Sequence, residues 1–406
     1  MFAPRNDILV CDGDAQLRVG TRISMDHVLE IAEIEQLAEY RSIWHELLEQ
    51  TPAASFFQSL EWLEIYWRHF GESQKLRAMV VLAGDRAVGI VPMVVRTEGT
   101  KVGRIRVLTY PLDAWGSFYG PIGPDPNRAL AAALDHVKRT PRDWDLLELR
   151  WQGAIGTDPA QVRQVMRDAG FSAYATVWDS TAMVDLAGDW DSYWGSRKTT
   201  WLQRYRACER KLSRHGEITH VRYRPAGDAN GEGSPRWDLY DACEEIAKRS
   251  WQGSSTSGTT LSHSTVREFL REAHAAAAAA GAVDLNLLLL DGEPVAFAYN
   301  YISRGCVYGL RRGFDADKSR EGAGHVLMAR ALRDSFARGD RLYDLGIGSL
   351  RGKQPFQTHL APIFRLSHFS LLAPRTQLLR VKRWWQGRQP MHIAAGRVQD
   401  STADAQ

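Results

Sequence analysis

Two segments of this chain, about 200 residues apart, repeat one pattern: an apolar strand, a turn of Gly and Asp, and a second apolar strand. The first copy is "VVLAGDRAVGIVPMVV" at 80–95, and the second is "LLLLDGEPVAFAYNYI" at 287–302. Gly and Asp between apolar runs predict tight hairpins. A further strand, a long loop, a helix and another strand follow each copy, ending in 127–149 and 325–347. The repeat predicts an α+β protein of two tandem units, with mixed central sheets flanked by helices.

The length of the chain also favours two domains, because 406 residues exceed what one core comfortably holds. We expect a first unit at 24–190, a second at 191–372 and a basic, polar tail at 373–406. Between the two copies, 171–178 and 181–186 read as a third hairpin.

The composition narrows the class of protein. Lys and Arg number 51 against 48 Asp and Glu, a net charge of +3 that does not indicate a general nucleic-acid binder. The four cysteines are scattered and form no CxxC pair, and no charged-then-apolar leader begins the chain. No apolar run is long enough to span a bilayer. We therefore expect a reduced cytoplasmic protein with no metal and no transmembrane segment.

A glycine-containing loop runs directly into an amphipathic helix in "SREGAGHVLMARALRDSF", residues 319–336. The start of a helix exposes unpaired backbone N–H groups, and Gly322 and Gly324 would let an anion approach them. Arg320 could add a bidentate contact to a phosphate. The alternative is an ordinary strand-to-helix turn with an incidental arginine.

The strand at 306–315, this loop, its helix and the strand at 341–348 resemble the GNAT superfamily of acyltransferases. In that fold the loop and helix start hold the pyrophosphate of acyl-CoA, and two strands splay to admit the pantetheine. The spacing Arg-Glu-Gly-Ala-Gly is one residue shorter than the loop of the family. The resemblance implies acyl-CoA as co-substrate and assigns its binding to five residues: Arg320, Gly322, Ala323, Gly324 and His325.

A closer resemblance is to the tandem-GNAT group that includes the CelD-type cellulose-biosynthesis acyltransferases and, more remotely, the Fem aminoacyl transferases. It rests on segments that occur in the same order across 55–370, among them "ASFFQSLEWLEIYWRHFG", "RYRACERKLSRHG", "GFDADKSREGAGHVL" and "LYDLGIGSLRGKQPF". It implies that the second unit carries the cofactor loop and that the first serves structure or acceptor binding. The active cleft should lie between the units.

Five further residues are candidates for the site. Asp344 lies in an apolar strand, where burial would raise its pKa and suit a base, or it bonds nearby amides. Tyr308 could protonate a departing thiolate or simply pack in the core. Lys353 follows a strand end, as a partner for an anion or as a solvated lysine. Trp251 could wall the acceptor site or pack as an ordinary aromatic, and Asp315 could orient the cofactor loop or cap it.

The resulting hypothesis is acyl transfer from acyl-CoA, or another acyl thioester, to an amine or hydroxyl of a small-molecule, peptide or sugar acceptor by direct attack. His263 and His325 have no partners at metal-ligand spacing. One alternative is an aminoacyl-tRNA donor, with the basic helix in 193–216 contacting RNA. Another is a GNAT-fold binding protein without catalysis. Near the end, "LLRVKRWWQGR" at 378–388 suits a membrane interface or packs against the body.

Overall fold

The computed structural model describes residues 26–112, 119–153, 155–254, 260–317 and 322–386. The strands within these ranges are β1 (His27–Ile31), β2 (Gln74–Ala83), β3 (Arg86–Thr100), β4 (Gly103–Thr109), β5 (Leu146–Gln152), β6 (Tyr174–Asp185), β7 (Ile218–Tyr223), β8 (Val283–Leu290), β9 (Glu293–Ser303), β10 (Cys306–Phe314), β11 (Leu342–Asp344) and β12 (His359–Phe369). The α-helices are α1 (Arg41–Gln50), α2 (Leu60–Phe70), α3 (Pro126–Arg139), α4 (Pro159–Asp168), α5 (Trp190–Gly195), α6 (Thr199–Leu212), α7 (Trp237–Arg249), α8 (Arg267–Ala279), α9 (Ala323–Arg338) and α10 (Pro374–Gln386).

The twelve described strands form one sheet in the order β1-β2-β3-β4-β5-β12-β6-β11-β10-β9-β8-β7. Two pairs within it are parallel, β4 with β5 and β10 with β11, and the other neighbours are antiparallel. The α+β class predicted from the repeat is confirmed, and the sheets of the two units are joined into one.

The centre of the sheet is built by an exchange of strands between the two halves of the chain. Strand β12, from the second half, pairs with β5, with Leu366 opposite Leu149. Strand β6, from the first half, pairs with β11, with Asp185 opposite Leu342. Each half therefore supplies five outer strands and one strand that completes the sheet of the other. The division at residue 190 stays a prediction, since β6 and β12 each lie between strands of both halves.

Both predicted hairpins are present. The turn between β2 and β3 contains Gly84 with φ +63°, and the turn between β8 and β9 contains Asp291 and Gly292 with φ +49° and +80°. Positive φ at both central residues gives the backbone twist that matches two antiparallel strands. This conformation explains why Asp and Gly occupy the second turn.

The third predicted hairpin, at 171–178 and 181–186, is wrong. One continuous strand, β6, covers most of this segment. Asp179 and Ser180 suggested a turn, but the carboxylate of Asp179 accepts the Ser180 N–H at 2.7 Å while both residues stay in the strand. The irregularity is a bulge in β6 itself, because the consecutive residues Ile363 and Phe364 of β12 pair with Asp179 and Val177 and leave Trp178 as the extra residue.

Helices cover both faces of the second half of the sheet. On β9, Ala298 packs with Val326 and Leu327 of α9, whereas the next residue, Tyr299, packs with Tyr240 of α7. This alternation follows from the two-residue period of a strand. The strands before α9 therefore present side chains to both sides, and a passage through the sheet would connect α9 with the face that carries α7.

The strand exchange predicts that neither half folds alone. A fragment of 26–190 lacks β12, and a fragment of 191–386 lacks β6, so each leaves a central strand edge unpaired. We expect each fragment alone to aggregate or to lack a cooperative thermal transition by circular dichroism. Co-expression of the two should restore a soluble complex with a single transition. A cooperative melt of either isolated fragment would contradict the exchange.

Candidate active site

The start of α9 has no side-chain cap. Gly322 occupies the N-cap position with φ +92°, and its carbonyl accepts the N–H groups of His325 and Val326 at 2.9 and 3.2 Å. The first N–H groups of a helix have no partner within it, and residues 322 and 324 place no side chain over them. The entrance to α9 is therefore suited to an anion.

The equivalent helix of the first half is closed. The carboxylate of Asp125 accepts the Arg128 N–H at 3.0 Å at the start of α3, and Pro126 occupies the first turn. A carboxylate thus already holds the position that a bound anion would take. The two halves share a topology but differ at this point.

The basic helix α6 forms one wall of the α9 entrance. A Cβ atom on Gly322 would lie 2.9 Å from Sγ of Cys208 on α6, so this position accepts only glycine for reasons of both space and φ. At the other end of α6, Trp201 meets the ring of Phe356 edge-on at 4.9 Å. Burial and the charges of Arg312 and Arg204 lower the pKa of His325, so its ring is neutral at pH 7.

Strands β10 and β11 separate soon after they pair. Their register covers three positions and ends with Tyr308 opposite Asp344. Beyond it, a Cβ on Gly309 would lie 2.6 Å from the Asp344 carbonyl oxygen, so the backbones are still in contact there. A bulge at Leu310 then redirects β10, while the other chain turns away through Gly346 with φ +79°. The separation opens a cleft beside the α9 entrance.

Arg312 lies on the α9 side of this cleft. It is opposite Ala298, whose side chain packs against α9, and its guanidinium lies near Gly352. Among the described residues no carboxylate lies within ion-pair distance of Arg312. Burial lowers the pKa of Arg312 to about 10, so it remains charged at neutral pH. A half-buried cation without a counter-ion is a second feature that favours an anion here.

Asp344 lies at the end of β11 and is buried. Its Oδ1 accepts the hydroxyl of Thr181, on the exchanged strand β6, and the Gly346 N–H at 2.8 Å. Burial raises the pKa of Asp344 against the opposing effect of these two hydrogen bonds. Among the described residues both bonds fall on Oδ1, which leaves Oδ2 as the atom that can take a proton.

Lys353 is buried rather than solvated. Its Nζ donates to the carbonyl oxygens of Gly346 and Ile347, each at 2.5 Å, and so holds the loop after β11 in a closed turn. Burial and the nearby charge of Arg312 lower its pKa, while the carboxylates of Asp344 and Asp179 act in the opposite direction. Lys353 therefore holds the loop after β11 near the carboxylates of Asp344 and Asp179.

Tyr308 lies on the face opposite α9. It is buried edge-on to Phe57 at 6.4 Å, and burial raises its pKa, so the phenol is protonated at neutral pH. In the first half, the last parallel pair is Leu108 with Leu147, in place of Tyr308 with Asp344. The acid and the phenol are thus confined to the second half.

The remaining predicted residues have different positions. Arg320 lies outside the described residues, and so does the side chain of Trp251, whose backbone forms a short 3₁₀ turn. The carboxylate of Asp315 is buried and accepts Nε of Arg249 at 2.7 Å and the Asp317 N–H at 3.0 Å. The bond from the Asp317 N–H favours the capping alternative for Asp315, in which its carboxylate caps the start of the loop.

Two residues that the sequence did not identify join the site. Thr181 comes from the exchanged strand, far from Asp344 in sequence, and no local pattern marks it. Arg312 had a signal, since two consecutive arginines interrupt an otherwise apolar strand in "CVYGLRRGF".

Within the described ranges no group of three or more His, Cys, Asp or Glu is placed to hold a metal ion. In the same ranges no helix is both long and apolar enough to cross a bilayer.

Comparison with known proteins agrees with this geometry. Residues 201–357 match the family model of the acetyltransferase (GNAT) domain. The crystal structure of FemX is similar with a TM-score of 0.55 at 12% identity, covering 87% of this chain and 99% of that chain. The C-terminal domain (DUF2156) of a putative lysylphosphatidylglycerol synthetase from Agrobacterium fabrum is similar with a TM-score of 0.50 at 12% identity, covering 86% and 96%. No curated protein matches.

The raised pKa of Asp344 predicts how stability depends on pH. The folded state holds this proton more tightly than the unfolded state, so stability is lost as pH rises from the ordinary aspartate range near about 4 through the raised pKa. Asp344→Asn keeps an oxygen for Thr181 and Gly346 but never ionises. We expect it to gain about 1–3 kcal/mol over the natural chain near pH 8 and to lose this gain below about pH 4.

Thermal melts of both chains across this pH range would measure the effect. Asp185→Asn, an exposed aspartate at the end of the same β6 strand, is the matched control and should leave the pH profile unchanged. Parallel profiles for the natural chain and Asp344→Asn would contradict the assignment of a raised pKa to Asp344.

Proposed function

We propose that this chain, which carries a GNAT transferase domain, moves an acyl group from an acyl thioester to an amine or hydroxyl by direct attack. The preferred donor is acyl-CoA, and the acceptor is a small molecule, a peptide or a sugar. One observation carries the proposal: the uncapped, glycine-built entrance of α9 lies beside Arg312, which has no carboxylate partner among the described residues, and next to the cleft between β10 and β11. A diphosphate with an extended tail has the charge and shape that this arrangement accepts.

The donor would bind with its diphosphate at residues 322–325 and with Arg320 and Arg312 as cations. Its pantetheine would pass between β10 and β11 to the opposite face, where Tyr308 and Asp344 lie. Beyond Gly309 the backbone of β10 no longer faces β11, so its N–H groups are available to polarise the thioester carbonyl.

The acceptor nitrogen or oxygen would attack the carbonyl carbon, and the carbon–sulfur bond would break. Asp344, through Oδ2, takes the proton that the acceptor loses, and the phenol of Tyr308 donates a proton to the departing thiolate. Lys353 holds the loop that carries the Gly346 N–H against Asp344 and so keeps the base in position. Trp251 is the proposed apolar wall of the acceptor site.

The first testable consequence concerns donor binding. Arg312→Gln and Arg320→Ala should each weaken the affinity for CoA by about 10–100-fold, because each removes a charge-assisted contact to phosphate. Isothermal titration calorimetry measures this directly. Arg206→Gln, an exposed arginine on α6, is the matched control and should keep the natural affinity.

Two results would redirect the proposal. Unchanged affinity in both variants would remove these arginines from the site. If the chain shows no saturable CoA binding but binds RNA with a steep salt dependence, the donor is an aminoacyl-tRNA. Helix α6 forms a wall of the α9 entrance and carries exposed arginines at 204, 206 and 210. These arginines are the observation that favours the aminoacyl-tRNA donor.

The second consequence concerns the base. In the natural chain, the base should become active as Asp344 loses its proton. The rate of CoA thiol release from acyl-CoA, measured with a mixture of amine and hydroxyl acceptors, should therefore rise with pH through the raised pKa of Asp344 and then level off. Asp344→Asn should lower the rate by about 100–10,000-fold and abolish this rise. Asp179→Asn, a more exposed carboxylate on β6, is the matched control. A slow Asp179→Asn with an active Asp344→Asn would transfer the role to Asp179.

A further inference from the structure

Helix α10, together with Leu371 and Leu372 just before it, exposes an unusual number of large apolar side chains. Six large apolar side chains are between 57% and 80% exposed within sixteen positions. We call this set the α10 surface: Leu371, Leu372, Leu378, Val381, Trp384 and Trp385. Isolated exposed apolar residues are common on proteins, but six within one helix and the segment just before it are typical of an interaction site.

The outward orientation of this surface is imposed by the body of the protein. On the inner side of α10, Arg383 forms an ion pair with the buried carboxylate of Glu148 on β5. Leu379 packs with Ile105 and Phe369, and the hydroxyl of Thr376 donates to the Ala373 carbonyl at 2.8 Å. Because Thr376, Leu379 and Arg383 occupy the inner side of α10, the apolar residues on its other side face solvent.

Every charged residue of the α10 segment is basic, and all but the inward-facing Arg383 can border the exposed apolar side chains. Residues 371–386 contain Arg375, Arg380, Lys382 and Arg383 and no acidic residue. Arg375 donates to the Arg104 carbonyl, which brings the exposed Arg104 of β4, and the exposed Lys101 of the turn before it, next to the start of the helix. The surface therefore combines an apolar centre with a cationic border.

We propose that the α10 surface docks on an anionic lipid bilayer, with its leucines and tryptophans in the interfacial region and its basic border against the headgroups. Tryptophan and leucine beside arginine and lysine are the composition that such interfaces select. A second copy of the chain fits less well, since a symmetric contact would bring two cationic borders together. A nucleic acid would use the charges but would leave the apolar stripe uncovered.

Flotation of the full chain with vesicles tests this. We expect binding to vesicles of mixed phosphatidylglycerol and phosphatidylcholine, weak binding to pure phosphatidylcholine, and weakening by salt. The double variant Leu372→Ser/Trp385→Ser should lower the partition coefficient by about tenfold or more, since it removes apolar area that inserts. Arg375→Gln and Lys382→Gln should each lower it by about fivefold.

The matched controls change the same side-chain types elsewhere. Leu29→Ser, at an exposed leucine on the edge strand β1, and Arg206→Gln on α6 should leave vesicle binding unchanged. Thermal melts should show that each variant is folded, because Leu372 and Trp385 are 80% and 68% exposed and contribute little to the core.

Three outcomes would overturn the proposal. The first is equal loss of binding in the control variants, which would indicate attraction by net charge alone. The second is no binding to anionic vesicles by the natural chain. The third is concentration-dependent dimerisation in sedimentation that Leu372→Ser/Trp385→Ser abolishes, which would assign the α10 surface to a second copy.

Discussion

The structure depends on one seam of backbone hydrogen bonds, where β12 lies between β5 and β6, and β6 between β12 and β11. Each N–H or C=O left unpaired in a buried sheet costs about 1–3 kcal/mol, so a sheet interrupted at its centre would not persist. Because the two central strands come from opposite halves of the chain, both halves are needed to complete it. The candidate site inherits this dependence, since Thr181 on β6 holds the carboxylate of Asp344 on β11.

The two halves show how one topology is put to different uses. Each contains an antiparallel run, a parallel pair and a helix that enters beside that pair. In the first half a carboxylate closes the start of the helix and two leucines end the parallel pair. In the second half the helix is open and the pair ends in Tyr308 and Asp344. The candidate catalytic groups therefore lie in the half whose helix begins without a side-chain cap.

Charges in the second half are buried at a cost. Burial opposes the charged form of Asp344, Lys353 and Arg312 alike, and the hydrogen bonds to Asp344 and the carboxylates near Lys353 compensate only in part. Such groups lower the stability of the folded state and are retained at sites where a shifted pKa is useful. The hydrophobic packing of α9 against β8 and β9 supplies the rigid frame that keeps them in place.

Local sequence was enough to predict the two hairpins, the helices after them and the glycine-built start of α9, because turn residues and apolar periodicity act over a few neighbouring positions. It also indicated Asp344 and Tyr308 as polar groups in apolar strands. The tertiary structure alone decided that β6 is one strand, that the halves exchange strands, and that Thr181 and Arg312 join the site. The strand exchange and the place of Thr181 rest on contacts between residues more than a hundred positions apart, and no local periodicity encodes which distant edge a strand will complete.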